Sequence, residues 1–277
     1  MRAPRFQAAS TSDVEPLPAS AGRGFFTSVG NGAEKTGRGS AGALIEAALE
    51  LISPTRCAGC ERPGELICSA CENAMQIIDP ARSCLHCGAP FGAMVCTECV
   101  GAKTDLDRCL AAAVFDGPVG RIVRAYKDGG ERRLAAEIGR IMLGAAVRAQ
   151  REAPGRYGGL LVRADAVVFV PATAAAFRRR GFDHMELIAR HLSGRSDIPL
   201  LDALVKHGSS DQRELGRADR LAEALGAYEV VLPVRGKRIL LIDDVITTGA
   251  TMSAAASALK AAGASHVDGL AFARVWG

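Results

Sequence analysis

Long apolar runs are missing from this sequence of 277 residues. None approaches the ~20 residues that a membrane-spanning helix needs. The N-terminal stretch MRAPRFQAASTSDVEP has basic residues but no apolar segment of the secretory kind, so a cytoplasmic protein is the expectation. Aromatic residues are scarce, at 5%, and are not interleaved with the basic clusters. The stacking platforms usual in single-strand nucleic-acid binders are therefore not visible. No G-x-x-x-x-G-K-[ST] occurs, which removes a P-loop triphosphate site as first choice. GRGSAG (37–42) formally matches G-x-G-x-x-G, but no strand precedes it and it reads as low-complexity coincidence. Excess charge is small: net +4 and pI about 8.6 permit anionic partners without demanding them.

The length suits one medium domain with additions, or two small ones. Residues 1–40 are rich in Gly, Ser, Thr and Ala without periodicity and read as a flexible extension. A short amphipathic helix is expected over 41–53, with Leu44, Ala47, Ala48 and Leu51 on one face and Pro54 as its stop.

Cysteine is the residue in surplus. Of nine, eight form four C-x-x-C pairs between residues 57 and 99: Cys57/Cys60, Cys68/Cys71, Cys84/Cys87 and Cys96/Cys99; Cys109 lies outside. In a chain without an export signal such thiols stay reduced. Two thiolates at this spacing reach one tetrahedral ion, and four close a structural zinc site with no open position for catalysis. Two four-cysteine zinc sites are expected. Sequential pairing (57/60/68/71 and 84/87/96/99) closes the shorter loops, whereas interleaved pairing resembles longer ribbons. His86 stands between two ligands and reads as a surface residue. The module, taken with the preceding helix as 41–104, has few large apolar residues. Metal removal is expected to unfold it and leave the remainder intact.

From about residue 105 apolar strands alternate with helices. LAAAVFDG (110–117), DAVVFVPA (165–172), KRILLIDDV (237–245) and HVDGLAFARV (266–275) read as strands. Helices are expected on both sides of Gly129-Gly130, over 184–194 and over 252–264. Strands without polar alternation suit a parallel sheet covered on both faces. The fold class for 105–277 is therefore α/β, doubly wound and mostly parallel, preceded by the small zinc-ribbon module.

Ligands of such sheets bind outside the carboxyl ends of the strands. There the chain reads ILLIDDVITTGAT (239–251), with Asp243 and Asp244 at the mouth. The turn through Val245, Thr247, Thr248, Gly249, Ala250 and Thr251 leads into a helix whose first N–H groups lack internal partners and carry the positive end of the helix dipole. That is a phosphate cradle. Beside it, two carboxylates suit the vicinal diol of a sugar phosphate.

The thirteen-residue string closely resembles the phosphoribosyl pyrophosphate (PRPP) signature of type I phosphoribosyltransferases. With the cysteine module, and with Tyr126-Lys127 after a GPV turn, VPA followed by RRRGFDH (178–184), and DQRELGRADR (211–220), the chain resembles the ComF family of competence-related proteins over about 41–277. The resemblance implies that Asp243 and Asp244 bind the ribose hydroxyls and act in catalysis, and that Thr247–Thr251 bind the 5′-phosphate. It places the loop after Val170-Pro171 against the pyrophosphate, with Lys127, Arg178 and Arg180 near, and Gln212 to Arg220 in a loop over the site. The ligand would arrive with Mg2+. The chain departs from the family in having RGFDH for RGFNQ, which adds the Asp183 charge near the pyrophosphate position, and in having Glu223 where an Asn is usual.

Three functions follow as expectations. The first is phosphoribosyl transfer from PRPP to an acceptor, an enzyme of the pentosyl-transferase kind. The second is a non-enzymatic DNA-uptake role, in which the zinc module and basic surface meet single-stranded DNA or a helicase. The third is a PRPP sensor without turnover.

Overall fold

The computed structural model describes residues 54–90, 94–207 and 227–276. The expected helix at 41–53, the segment Gln212 to Arg220 and Glu223 lie outside them. Four strands form one wholly parallel sheet, in the order β1–β6–β5–β2. They are β1 (Arg108–Val114), β2 (Ala166–Phe169), β5 (Arg238–Ile246) and β6 (His266–Arg274). All four expected strands are present. Their interiors are buried on both faces because helices cover both sides.

On one face lie α2 (Gly117–Lys127), α3 (Leu134–Glu152) and α6 (His184–Ser196). Their Val119, Ile122, Ile138, Met142, Met185 and Ile188 meet Leu110, Phe169, Leu240 and Phe272 of the strands. On the other face α7 (Ala250–Ala261) sets Met252, Ala255 and Leu259 against Ala111, Val168, Leu241 and Ala271. Gly269 allows this close approach: a Cβ there would stand 2.8 Å from Met252 and 3.2 Å from the Cys109 sulfur. Sheet and helices together form the doubly wound arrangement that the alternating pattern implied.

Helix starts follow the local chemistry. Asp116 accepts a hydrogen bond from Gly117 N ahead of Pro118, and so begins α2. The Gly129-Gly130 break then separates α2 from α3, as expected. Two features differ from expectation. Residues Ala174–Arg180 are a helix, α5, and not a loop; Thr173 caps it, and none of its seven residues is buried. A segment with no buried face leaves no periodicity to read. β3 (Leu204–Lys206) and β4 (Tyr228–Val230) pair antiparallel outside the main sheet, and three residues each are too few to signal a strand. Short α1 (Ser69–Asn73) and α4 (Pro154–Tyr157) complete the described elements with a 3-10 turn at Pro80–Arg82.

The first cysteine group does not stand apart from the α/β core. Cys57, Ile67, Cys71 and Met75 belong to the same buried cluster as Val119, Ile122 and Ile138. Ile78 N donates to Ala112 O of β1, and Arg140 of α3 holds Glu72 through both guanidinium nitrogens at 3.0 and 2.7 Å. This shared core revises the expectation that metal removal would spare the rest of the chain. No helix among the described residues is long and apolar enough to cross a membrane.

Candidate functional site

β5 runs to Ile246, so Asp243 and Asp244 lie within its last turns of pleat, 8% and 2% exposed. Successive strand side chains point to opposite faces. Asp244 turns toward α2 and α6, where Lys127 Nζ stands 2.5 Å and His184 Nε2 3.3 Å from its Oδ2. Asp243 turns toward the α7 side, where the charges of Lys206 and Tyr228 sense it. The pair is thus split across the sheet, one carboxylate per face.

Their protonation diverges accordingly. Burial, and then the neighbouring Asp244 charge, push Asp243 up to about 8. Asp244 is equally buried, but the His184 hydrogen bond and the Lys127 ammonium outweigh that burial and hold it well below the usual carboxylate range. One carboxylate stays ionised and its neighbour is poised near neutrality, the separation expected of groups with different roles.

His184 is positioned from three sides. Arg180 Nη1 donates to its Nδ1 at 3.3 Å, which assigns the Nε2–H tautomer facing Asp244. The Tyr126 hydroxyl donates to its carbonyl at 2.5 Å, and the Tyr126 ring meets Phe182 edge-on at 6.1 Å. Asp183 caps α6, accepting from Met185 N and Glu186 N, while its second oxygen accepts from Ala172 N at 2.8 Å. The two departures from the family pattern therefore have local work. The Asp183 charge is taken up by three backbone N–H groups, which corrects its reading as free negative charge near a pyrophosphate. His184 joins the Asp244 cluster. The D-x-x-E spacing of Asp183 and Glu186 ahead of an amphipathic helix was the available signal for the cap. For His184 no sequence signal existed.

The loop after β5 turns at Gly249, φ +83°, a conformation glycine adopts without cost. Gly249 is the N-cap of α7 and no side chain caps that helix, so its first N–H groups open onto the loop. Thr247, Thr248 and Ala250 are exposed, as is Thr251, while Val245 is half-buried. Thr248 Oγ1 accepts weakly from Ala250 N at 3.4 Å. Of the expected basic residues, Lys127 and Arg180 join the Asp244 cluster. Arg178 is exposed and lines a neighbouring cavity of about 440 Å³ with Phe177, Asp202 and Lys206. Gln212 and Arg220 lie outside the described residues.

The cysteines gather as the shorter-loop pairing requires. Cys57, Cys60, Cys68 and Cys71 form one group and Cys84, Cys87, Cys96 and Cys99 another, with all sulfurs of a group within 4.8 Å of one another. Measured pairs of 3.6 Å (Cys60–Cys68) and 3.7 Å (Cys87–Cys96) fit the ~3.8 Å edge of a tetrahedron with Zn–S bonds of about 2.3 Å. Backbone N–H groups of Cys68 and Cys96 donate to the sulfurs of Cys57 and Cys84, as thiolates favour. Both groups fit zinc. His86 is half-buried and in neither group.

The phosphoribosyl transferase domain family matches residues 167–273, from β2 to the end of β6. The chain is 26% identical over 226 residues to the DNA utilization protein YhgH of Salmonella typhi, which covers 79% of this chain and 96% of that one. It is 25% identical over 218 residues to Competence protein F of Haemophilus influenzae, covering 76% and 89%. It is 32% identical over 110 residues to Competence protein ComFC of Streptococcus pneumoniae, covering 39% and 47%. With a phosphoribosyl transferase domain, two four-cysteine groups ahead of it and homology to these proteins along most of its length, the chain belongs to the ComF family.

Proposed function

We propose that the α/β domain binds PRPP or a related phosphoribosyl ligand at the end of β5, and that this ligand is the substrate of phosphoribosyl transfer. One observation carries the reading: the uncapped N-terminus of α7, turned at Gly249, lies on the same short stretch of chain as the buried Asp243–Asp244 pair. A phosphate suits the first and a diol the second. The N–H groups and hydroxyls of 247–251 would hold the 5′-phosphate. Asp244, ionised, would accept from a ribose hydroxyl; Asp243 would accept or donate as its proton dictates. Lys127, now on Asp244, can turn to the ligand's pyrophosphate and leave the carboxylate to the sugar. Hard carboxylate oxygens also suit Mg2+, which would arrive on the ligand and neutralise its phosphates. In transfer the C1–O bond to pyrophosphate breaks and the acceptor's nucleophilic atom forms the new bond to C1. Positioning, and stabilisation of the departing pyrophosphate, would carry the rate.

The test is thermal stabilisation of the zinc-loaded protein by PRPP with Mg2+, compared in wild type and Gly249→Val. A shift in wild type that the variant loses supports the site; no shift in wild type overturns it. Pyrophosphate release on adding candidate acceptors separates transfer from sensing.

The names of the relatives support a second reading, a non-enzymatic competence or DNA-uptake factor. Exposed Arg178 and Arg179 on α5 and the cysteine module would then meet single-stranded DNA or a helicase partner.

A further inference from the structure

Arg274, the last residue of β6, is a fully buried guanidinium with no carboxylate buried beside it; only 2% of it is exposed. Burying a charge is costly unless its hydrogen bonds are met. Here they are met from two directions. Nη1 donates to the carbonyl of Thr247 at 2.5 Å and to the carbonyl of Val275. Nη2 donates to Glu98 Oε2 at 2.9 Å and points to Cys87 Sγ at 3.7 Å. Cys87 belongs to the second four-cysteine group, and Glu98 lies between its Cys96 and Cys99. The approach of loop to cysteine group is direct as well: a Cβ on Gly249 would stand 3.9 Å from Cys87 Cβ. Val275 N donates to Ile246 O, which ties the same corner to the end of β5.

We propose that Arg274 is a positioning residue through which zinc in the second four-cysteine site holds the 247–251 loop in place. A zinc-bound thiolate still accepts hydrogen bonds, and such outer contacts orient both sides of a site. With Cys84, Cys87, Cys96 and Cys99 on one ion, Cys87 and Glu98 are fixed and Arg274 is held against the Thr247 carbonyl. Without the ion the Cys96–Cys99 turn loosens, Arg274 loses its anchor, and the loop loses one of its ties. The first cysteine group packs instead with α2 and α3. The two metals therefore differ in role: the first supports the helical core and the second supports the ligand loop. This rests on the proposed function only in naming the loop a ligand loop; the mechanical coupling stands without it.

The test reads amide hydrogen exchange of 246–251 in ligand-free protein, with zinc per chain measured alongside. Cys99→Ser removes a ligand that Arg274 does not touch. It should lose one zinc and speed loop exchange about fivefold or more, the scale of one lost hydrogen bond. Arg274→Met should do the same while keeping both zincs. Combined, they should add less than twofold, the sign of a shared path. Cys60→Ser, in the first group, should lose a zinc and leave loop exchange unchanged. Should Arg274→Met fail to melt cooperatively, Arg274→Lys, which cannot span both partners, replaces it in the cycle. Unchanged loop exchange in Cys99→Ser, or effects that multiply in the combination, overturns the coupling. PRPP–Mg2+ is added to wild type separately. Absence of a thermal shift there sinks the ligand reading, while the exchange data still judge the strut.

Discussion

Replacing the two aspartates one at a time should have opposite effects on the ligand-free protein. Asp243 is buried without a cation in contact, and burial with the Asp244 charge raises it to about 8. A carboxyl whose pKa is higher in the fold than in the open chain lowers stability as pH rises from its ordinary range, near 4, through the folded value. From ~4 to 7 is about three units, so at neutral pH the ceiling is about 4 kcal/mol. Relaxation around the site and the mutual dependence of the two groups reduce this, and about 1–2 kcal/mol is expected. Asp243→Asn removes the titration and keeps the shape. Its melting temperature should exceed wild type by roughly 2–6 °C at pH 8–9, given about 2–4 °C per kcal/mol at this size. The gain should shrink to nothing by pH 4, where both side chains are neutral. Asp244 has the reverse linkage. Its lowered pKa contributes stability above the ordinary carboxylate range that is lost as pH falls toward the folded value. Asp244→Asn leaves Lys127 and His184 without their anion and should cost about 1–3 kcal/mol, less than a fully enclosed pair because Lys127 can reach water. The assay is a set of thermal melts from pH 4 to 9. Equal effects of the two substitutions, or an Asp243→Asn gain that does not vary with pH, would refute the assignment of one carboxylate to each face.

Gly59→Ala places a Cβ 2.6 Å from Cys71 Sγ inside the first cysteine group, and metal analysis should then find one zinc per chain instead of two. Chelation of wild type should broaden and lower the melting of α2 and α3 together with the cysteine groups, because Cys57, Cys71 and Met75 share their core; near-ultraviolet dichroism of Tyr126, buried in that core, would report it. If the second function holds, affinity for single-stranded DNA should fall linearly on a log–log salt plot with a slope of about −0.7 per phosphate contacted, and binding absent at low salt leaves only a protein partner. Arg178→Ala with Arg179→Ala should lower that slope and leave the PRPP–Mg2+ thermal shift of Asp243→Asn protein as it was.

Much of the architecture was legible because it rests on periodicity that neighbours cannot alter. The runs at 166–169, 238–246 and 266–274 are apolar without alternation, and only a sheet buried on both faces accommodates that. Likewise the C-x-x-C spacing sets which thiols can share an ion, so both four-cysteine groups appear as the shorter loops favoured. The elements that escaped are those without a buried stripe: α5 buries nothing, and β3 and β4 are three residues each. Asp183 illustrates a different loss. A carboxylate in a basic segment looks electrostatic from its sequence neighbours, yet three backbone N–H groups, one of them eleven residues away, decide its role.

The sequence by itself determined the parallel α/β fold, the eight metal-ligating cysteines and the short string at 239–251, since each depends on residue type and local spacing. Only the tertiary structure decided what the acidic pair faces. Asp243 and Asp244 are adjacent in the chain, but the pleat sends them to opposite sides, and Lys127 and His184 reach Asp244 from α2 and α6, many residues away. The same holds for Arg274, whose partners Cys87 and Glu98 lie more than 170 residues earlier. Ionisation and anchoring are set by which groups share a few ångströms of low-dielectric space, and that proximity is created by packing and not by order along the chain.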